Sequence, residues 1–320
     1  LMASKALRSS VPELGDRLEA AGATVFERGW LSSNNVLFVP ASGAGATLVD
    51  SGYWTHQAQT VELTRRALGG ARLEALLNTH LHSDHCGGNA ALVQAFGCRI
   101  SVPSGEHKKV QDWDESLLTY RPTGQHCPRF SSDGVLASDD VIVLAGRTWK
   151  VVASPGHDPE SVMLYEPDLR LLISADALWE DGFGVVFPEL EGKDAFSDVR
   201  STLALIASLP VEWVVPGHGR PFTGVAAAID RARDRLSRFE ADPRRHAAHA
   251  AKVLIKFHLL EVQAQPLAEL HAWLDATQYF AAIHRTHFAR ATAAEWRAGL
   301  LEGLCKSKAI GVSNGVVRNL

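Results

Sequence analysis

Three histidines and an aspartate stand within six residues in the segment Thr79-His80-Leu81-His82-Ser83-Asp84-His85-Cys86-Gly87-Gly88. The cluster follows the apolar run LEALLN and precedes the helix-forming run NAALVQAF. Any fold of this chain must therefore end a strand here and hold four ligand-grade side chains at that end. Alternate residues of an extended segment share a side, which lets the imidazoles of His80 and His82 reach one metal ion. Asp84 and His85 lie past the bend and can turn to a second. A helical HExxH site is excluded, since it needs histidines at i, i+4 with a glutamate between them.

Three later residues share one place in the pattern, where an apolar run gives way to a loop. His157 follows WKVVAS in Pro155-Gly156-His157, Asp176 follows LRLLISA, and His218 follows VEWVVP in Pro216-Gly217-His218-Gly219. Strand ends of a layered α/β sheet converge on one rim, so these residues are expected to meet the first cluster in space. The flanking glycines carry no Cβ and permit the close backbone approach a crowded two-metal pocket needs. A single Pro-Gly-His reads as an ordinary turn, but two of them with a strand-end aspartate read as a site.

The rest of the chain supplies the layers. ATVFERG, NNVLFVPA and ATLVDSG are short strands separated by the turn formers Ser32-Ser33-Asn34 and Ser42-Gly43-Ala44-Gly45. HQAQTVELTRRALGG has helical spacing and closes on Gly69-Gly70, a C-cap signature. After the histidine cluster come the helix NAALVQAFG, the strand CRISVP, a polar helical insertion over residues 104–130, the strands DVIVLAG, TWKVVAS, SVMLYEP and LRLLISA, the helix DAFSDVRSTLALIASLP and the strand VEWVVP. This mixed order predicts two packed β-layers flanked by helices rather than an all-parallel sheet. Beyond GHGRPF the pattern is helical: VAAAIDRARDRLSRFEA, a break at Asp242-Pro243, three further helices, and a hairpin signal at Asn314-Gly315. The expected division is an N-terminal extension over 1–21, a catalytic domain over 22–240, and a small helical, winged-helix-like C-terminal domain over 241–320.

THLHSDHCGG resembles the HxHxDH signature of the metallo-β-lactamase superfamily, and His157, Asp176 and His218 match that family's remaining ligand positions in order. LVDSG at residues 48–52 resembles its early strand and turn, and the likeness spans residues 22–222. The resemblance implies an α/β (α+β) fold of the αββα sandwich type with two divalent metal ions. By it, His80, His82 and His157 hold one ion, Asp84, His85 and His218 hold the other, and Asp176 bridges them. Zinc suits imidazole with a few carboxylates, and iron or manganese can occupy such a site. Two adjacent cations lower the pKa of a shared water to about neutral and so supply a bridging hydroxide, which Asp84, as the catalytic residue, helps to orient. True β-lactamases of this fold typically lack a bridging aspartate, whereas glyoxalase II-like thioesterases and phosphodiesterases retain it. The expectation is thus a metal-dependent hydrolase of a thioester or other ester of a small acyl substrate. One alternative is an endoribonuclease or phosphodiesterase, because one branch of the family carries a winged-helix-like C-terminal domain; another is a non-catalytic metal-binding regulatory protein.

Composition narrows the partners. A net charge of -4 over 320 residues provides no global field for nucleic acid. Residues 241–320 carry ten Lys/Arg against six Asp/Glu, which reads first as a solvated helical surface and second as a basic patch. Cys86, Cys98, Cys127 and Cys305 show no CxxC spacing, which points to a reducing cytoplasm and away from a disulfide framework. Cys86 adjoins the site yet reads as a buried thiol rather than a nucleophile. No apolar segment opens the sequence as a secretory signal, and no run reaches the about 18 apolar residues of a membrane span, so no membrane partner is expected. The walls of the site are expected from residues 104–130 and from the loop after Asp176, with Trp179, Phe183, Phe187 and Tyr120 as substrate contacts and His107 and His126 as surface or hydrogen-bonding residues. Those aromatic residues suggest an apolar or acyl-bearing small molecule, or else pack the lid onto the core. A homodimer is left open.

Overall fold

The structure, a computed structural model, describes residues 12–320; the first eleven residues of the expected N-terminal extension lie outside it. Six strands form one sheet in chain order: β1 (Ala23–Phe26), β2 (Asn35–Phe38), β3 (Ala46–Val49), β4 (Leu73–Leu77), β5 (Arg99–Pro103) and β6 (Gly134–Leu136). β1 to β3 make an antiparallel meander, and β3 to β6 run parallel. Five more strands, β7 (Val141–Leu144), β8 (Arg147–Ala153), β9 (Val162–Glu166), β10 (Leu171–Ala175) and β11 (Trp213–Pro216), form a second sheet in the order β11-β10-β9-β8-β7. Only β10 and β11 are parallel neighbours there.

The two sheets face one another across a core of Val36, Phe38, Val49, Leu77, Trp149, Val151, Leu164, Ile173 and Val215. Trp149 is fully buried there, edge-on to Phe38 at 5.2 Å, and deleting a ring so placed costs about 3–5 kcal/mol. Leu14 and Leu18, one turn apart on the helix Pro12–Ala20, enter the same core. Helices cover both outer faces: Gln57–Leu68 and Asn89–Phe96 lie over the first sheet, Phe196–Ser208 and Val225–Ala241 over the second. This is the αββα sandwich. Because β9 and β10 are covered on both faces, every one of their residues is buried, which explains their unbroken apolar runs.

The C-terminal region holds four helices after Asp242, one more than its sequence pattern suggests: Pro243–Val262, Leu267–Ala276, Gln278–His287 and Ala293–Lys306. The one overlooked, QYFAAIHRTH, buries Tyr279, Phe280 and Ile283, and its aromatic content hides a short helical stripe. A short strand β12 (Ala264–Pro266) joins the expected hairpin of β13 (Ile310–Ser313) and β14 (Val316–Asn319) in the order β12-β14-β13. Asn314 and Gly315 turn that hairpin with positive φ of 50° and 71°. Val185 and Leu190, from the segment after β10, are built into the apolar core of this region. No helix among the described residues is long and apolar enough to cross a membrane.

Candidate metal centre

All seven predicted ligands stand beyond the C-terminal ends of four strands. β4 runs through Asn78 and Thr79 into His80, Leu81 and His82, where alternation sends Leu81 into the apolar core under the helices and the two imidazoles to the rim. His82 keeps extended backbone angles, and the turn Ser83–Cys86 that follows presents Asp84 and His85. His157 follows β8 through Gly156, whose φ of 140° few other residues adopt. At the end of β10, between Ile173 and Ala175, the register with β11 shifts and Ala175 takes a φ of 47°, a strained turn from which Asp176 follows. His218 follows β11.

Three overlapping groups bring their ligand atoms within 4.8 Å of one another: His80, His82 and His157; His80, His85 and Asp176; and Asp84, His85 and His218. His82 Nδ1 lies 2.7 Å from His157 Nε2, and His218 Nε2 lies 3.0 Å from Asp84 Oδ2. Asp176 sits between the groups, with Oδ1 3.5 Å from His85 Nε2 and Oδ2 3.4 Å from His157 Nε2 and 3.9 Å from His218 Nε2. Space is tight: a Cβ on Gly217 would come within 2.1 Å of Asp176 Oδ1, and one on Gly184 within 2.4 Å of the His157 ring.

These residues fit a pair of cations. His80 Nε2 and His85 Nε2 are buried with no hydrogen-bond partner, an arrangement that costs about 1–3 kcal/mol per group unless something binds there. Two of the predicted ligands are aimed from behind. The Nδ1 of His157 donates to the Val185 carbonyl at 2.5 Å, which leaves Nε2 bare toward the centre. His85 Nδ1 donates to Asp50 Oδ2 at 2.8 Å, and Asp50 is itself fixed by the Thr79 amide and hydroxyl at 2.9 and 2.8 Å. A carboxylate or carbonyl behind a ligating imidazole fixes its tautomer and strengthens it as a ligand. Burial holds His82 and His157 neutral down to about pH 4. His85 is the exception: burial opposes its charge, yet Asp176 and Asp50 together raise it well above the usual histidine range. Asp176 is held well below the usual carboxylate range, burial being outweighed by His85, His218 and His157.

Comparison with known proteins agrees with this geometry. Residues 28–218 match the family model described as the metallo-β-lactamase superfamily. A hydroxyacylglutathione hydrolase of Anaeromyxobacter dehalogenans is 32% identical over 71% of this chain and 78% of its own length. The chain belongs to the metallo-β-lactamase superfamily. It is a metal-dependent hydrolase of the glyoxalase II-like branch. Other curated hydroxyacylglutathione hydrolases match over 39–62% of their length. A β-lactamase domain protein from Burkholderia ambifaria shares the fold over 93% of this chain and 91% of its own, with a TM-score of 0.58 at 23% identity. The protein TTHA1623, solved in a di-iron-bound form, is 26% identical over 65% of this chain and 98% of its own, with a TM-score of 0.50.

Not every expected substrate contact reaches the mouth of this superfamily site. Trp179 does: it donates to Asp176 Oδ1 at 3.1 Å and stands edge-on to His218 at 5.5 Å. Phe187 does as well, edge-on to His82 at 5.0 Å. Phe183 and Tyr120 do not, since they are 2% and 1% exposed. Phe183 packs behind the rim under Arg235, and the Tyr120 hydroxyl meets the buried Cys86 thiol at 3.1 Å. His107 pairs with Ser132, and exposed His126 lies against Trp54. Sequence reasoning missed Trp30, 58% exposed and stacked on His218 at 5.4 Å, and Tyr279, which closes on Phe187 at 5.7 Å from the C-terminal region. A lone tryptophan in the turn-rich stretch GWLSSNN was the available signal for Trp30. Asp50, an acid ending an apolar strand parallel to β4, was the signal for the His85 support.

Proposed function

We propose that this chain hydrolyses a thioester, or a related ester, of a small acyl substrate at a two-ion centre, with zinc as the ion that best suits five imidazoles and two carboxylates. His80, His82 and His157 would hold one ion, Asp84, His85 and His218 the other, and Asp176 both. The observation that carries the reading is Asp176, whose two oxygens face histidines of both groups. Its support from outside the chain is the likeness to a hydroxyacylglutathione hydrolase. Bound divalent ions supply Lewis acidity that polarises an acyl carbonyl and activates water at neutral pH.

The chain's own residues do the rest. Asp84 is the one half-buried member of the seven, so its carboxylate reaches the open side of the centre, where it would help to orient the attacking water. Trp30 and Trp179, 5.3 Å apart and edge to face, wall the His218 side. Phe187 walls the His82 side, with the buried Tyr279 packed behind it. An apolar acyl group fits between such walls better than a phosphodiester backbone, which calls for cations. All four cysteines are free, in keeping with a reducing cytoplasm. The test is steady-state hydrolysis by zinc-loaded protein of acyl thioesters of increasing chain length beside bis-aryl phosphate. A kcat/KM higher by about tenfold or more for a thioester is expected, equivalent to about 1.4 kcal/mol of transition-state binding; a preference for the phosphate ester would overturn the reading.

A further inference from the structure

One helix of the C-terminal region, Pro243–Val262, touches the outer support of both halves of the centre. Near its start, His246 is buried and its Nε2 accepts the amide of Val186 at 3.1 Å. The residue before that amide is Val185, whose carbonyl receives the Nδ1 proton of His157. Near its other end, Glu261 accepts the Tyr53 hydroxyl at 2.8 Å and the Trp54 indole N–H at 3.1 Å, and Phe257 packs edge-on to Tyr53 at 5.1 Å. Tyr53 continues the turn that begins at Asp50, the carboxylate behind His85. Ser51 in that turn also donates its amide to the His85 carbonyl at 2.7 Å. The two contacts lie about 22 Å apart along one rigid element.

We propose that the helix Pro243–Val262 is a brace for the metal centre, in which His246 sets the His157 ligand and Glu261 sets the His85 ligand, each acting as a positioning residue through one intervening loop. The chemistry at both ends suits the task. Burial, and then the neighbouring His249 and Arg235, lower His246 to about 3, so its Nε2 stays an acceptor at any working pH. Glu261 offers two oxygens to two donors on adjacent residues, which fixes the direction as well as the position of that turn. Val185 and Leu190 lie in the C-terminal core, so the segment whose Val185 carbonyl orients His157 cannot move without disturbing that core. The C-terminal region is then a structural half of the site rather than a module tethered to it.

This inference rests on the two-ion reading, and its test separates the two. Full-length protein freed of metal would be titrated with zinc against a chromophoric chelator, with the melting temperature of each apo variant measured alongside. Wild type should take two ions. His246→Phe should weaken one of them by about tenfold and Glu261→Leu the other, the range seen for residues that support metal ligands from behind. His246→Gln, which supplies an acceptor oxygen in place of Nε2, should stay within about twofold of wild type, and Glu261→Gln, which keeps one of the two acceptor oxygens, should lose less than Glu261→Leu. Tyr53→Phe removes only the hydroxyl donor to Glu261, keeps the ring packing, and should reproduce the Glu261→Leu loss in weaker form. If wild type holds two ions while His246→Phe, Glu261→Leu and Tyr53→Phe bind zinc as wild type does, with only their melting temperatures lowered, the brace is refuted and the centre stands. Failure of wild type to bind zinc would remove both.

Discussion

The rim and the helix Pro243–Val262 each bury histidines that their surroundings keep neutral, and the two sets do different things. At the rim, His82 and His157 are lowered to about 4; on the helix, His246 falls to about 3 and His249 to about 4. Burial is the leading cause in all four. Their partners differ. His246 accepts the Val186 amide, and His249 accepts from Arg235 at 2.7 Å, whereas the rim leaves His80 Nε2 and His85 Nε2 with nothing to bind. A folded chain does not strand two neighbouring buried nitrogens without return, because each costs about 1–3 kcal/mol. The inventory of partners, more than burial or shifted acidity, separates a ligand from a structural histidine.

The sharpest way to break this distinction is to remove one residue from each set. His82→Ala and Asp176→Asn should each strip metal, read by elemental mass spectrometry, and lower turnover by at least about a thousandfold, since residues of such a unit fail together. His249→Ala should keep both ions. Two ions retained in both rim variants would end the assignment. Chelation gives a smaller effect. With free zinc at about a hundred times its Kd, binding adds about 2.7 kcal/mol to the native state, so metal removal should lower the melting temperature by about 5 °C or more. The same loss is expected in His249→Ala, and its absence from Asp176→Asn would confirm that the lost stability belongs to the rim.

Much of the rim could be read from the sequence because local geometry writes it there. Alternation fixed His80 and His82 on one side of their strand, and apolar runs ending in Gly-His or Ala-Asp marked where strands reach an edge. The layered sandwich was legible for the same reason, since strands β9 to β11 are nearly unbroken apolar runs. What local pattern cannot carry is contact between distant segments. Nothing around Trp30 says that its ring lies on His218, nearly two hundred residues on. Nothing near Tyr53 says that its hydroxyl meets Glu261. Phe183 and Tyr120 misled in the opposite direction: an aromatic residue in a loop beside a site looks like a wall until packing shows it turned inward. The short helix Gln278–His287 was lost because its buried Tyr279 and Phe280 are adjacent, which blurs the helical period.

The smallest effect separates the two sets of histidines by acid. His246 has an unfolded value near 6.5 and a folded value of about 3, so the unfolded chain takes up a proton that the native state refuses throughout that interval. Its contribution to stability is therefore complete above about pH 6.5 and is lost as the pH falls toward 3, at up to about 1.4 kcal/mol per pH unit. Half-buried His249 adds to the loss over the upper part of the window. Denaturant unfolding of metal-free protein at pH 6.5 and 5.0 isolates the effect, because no ion then competes with protons at the rim. Wild type should lose about 2 kcal/mol more than His246→Gln between those two values. Equal losses in both proteins would mean that His246 titrates in the folded state much as it does in the unfolded one, and the acceptor role assigned to its Nε2, on which the brace depends at one end, would fail with it.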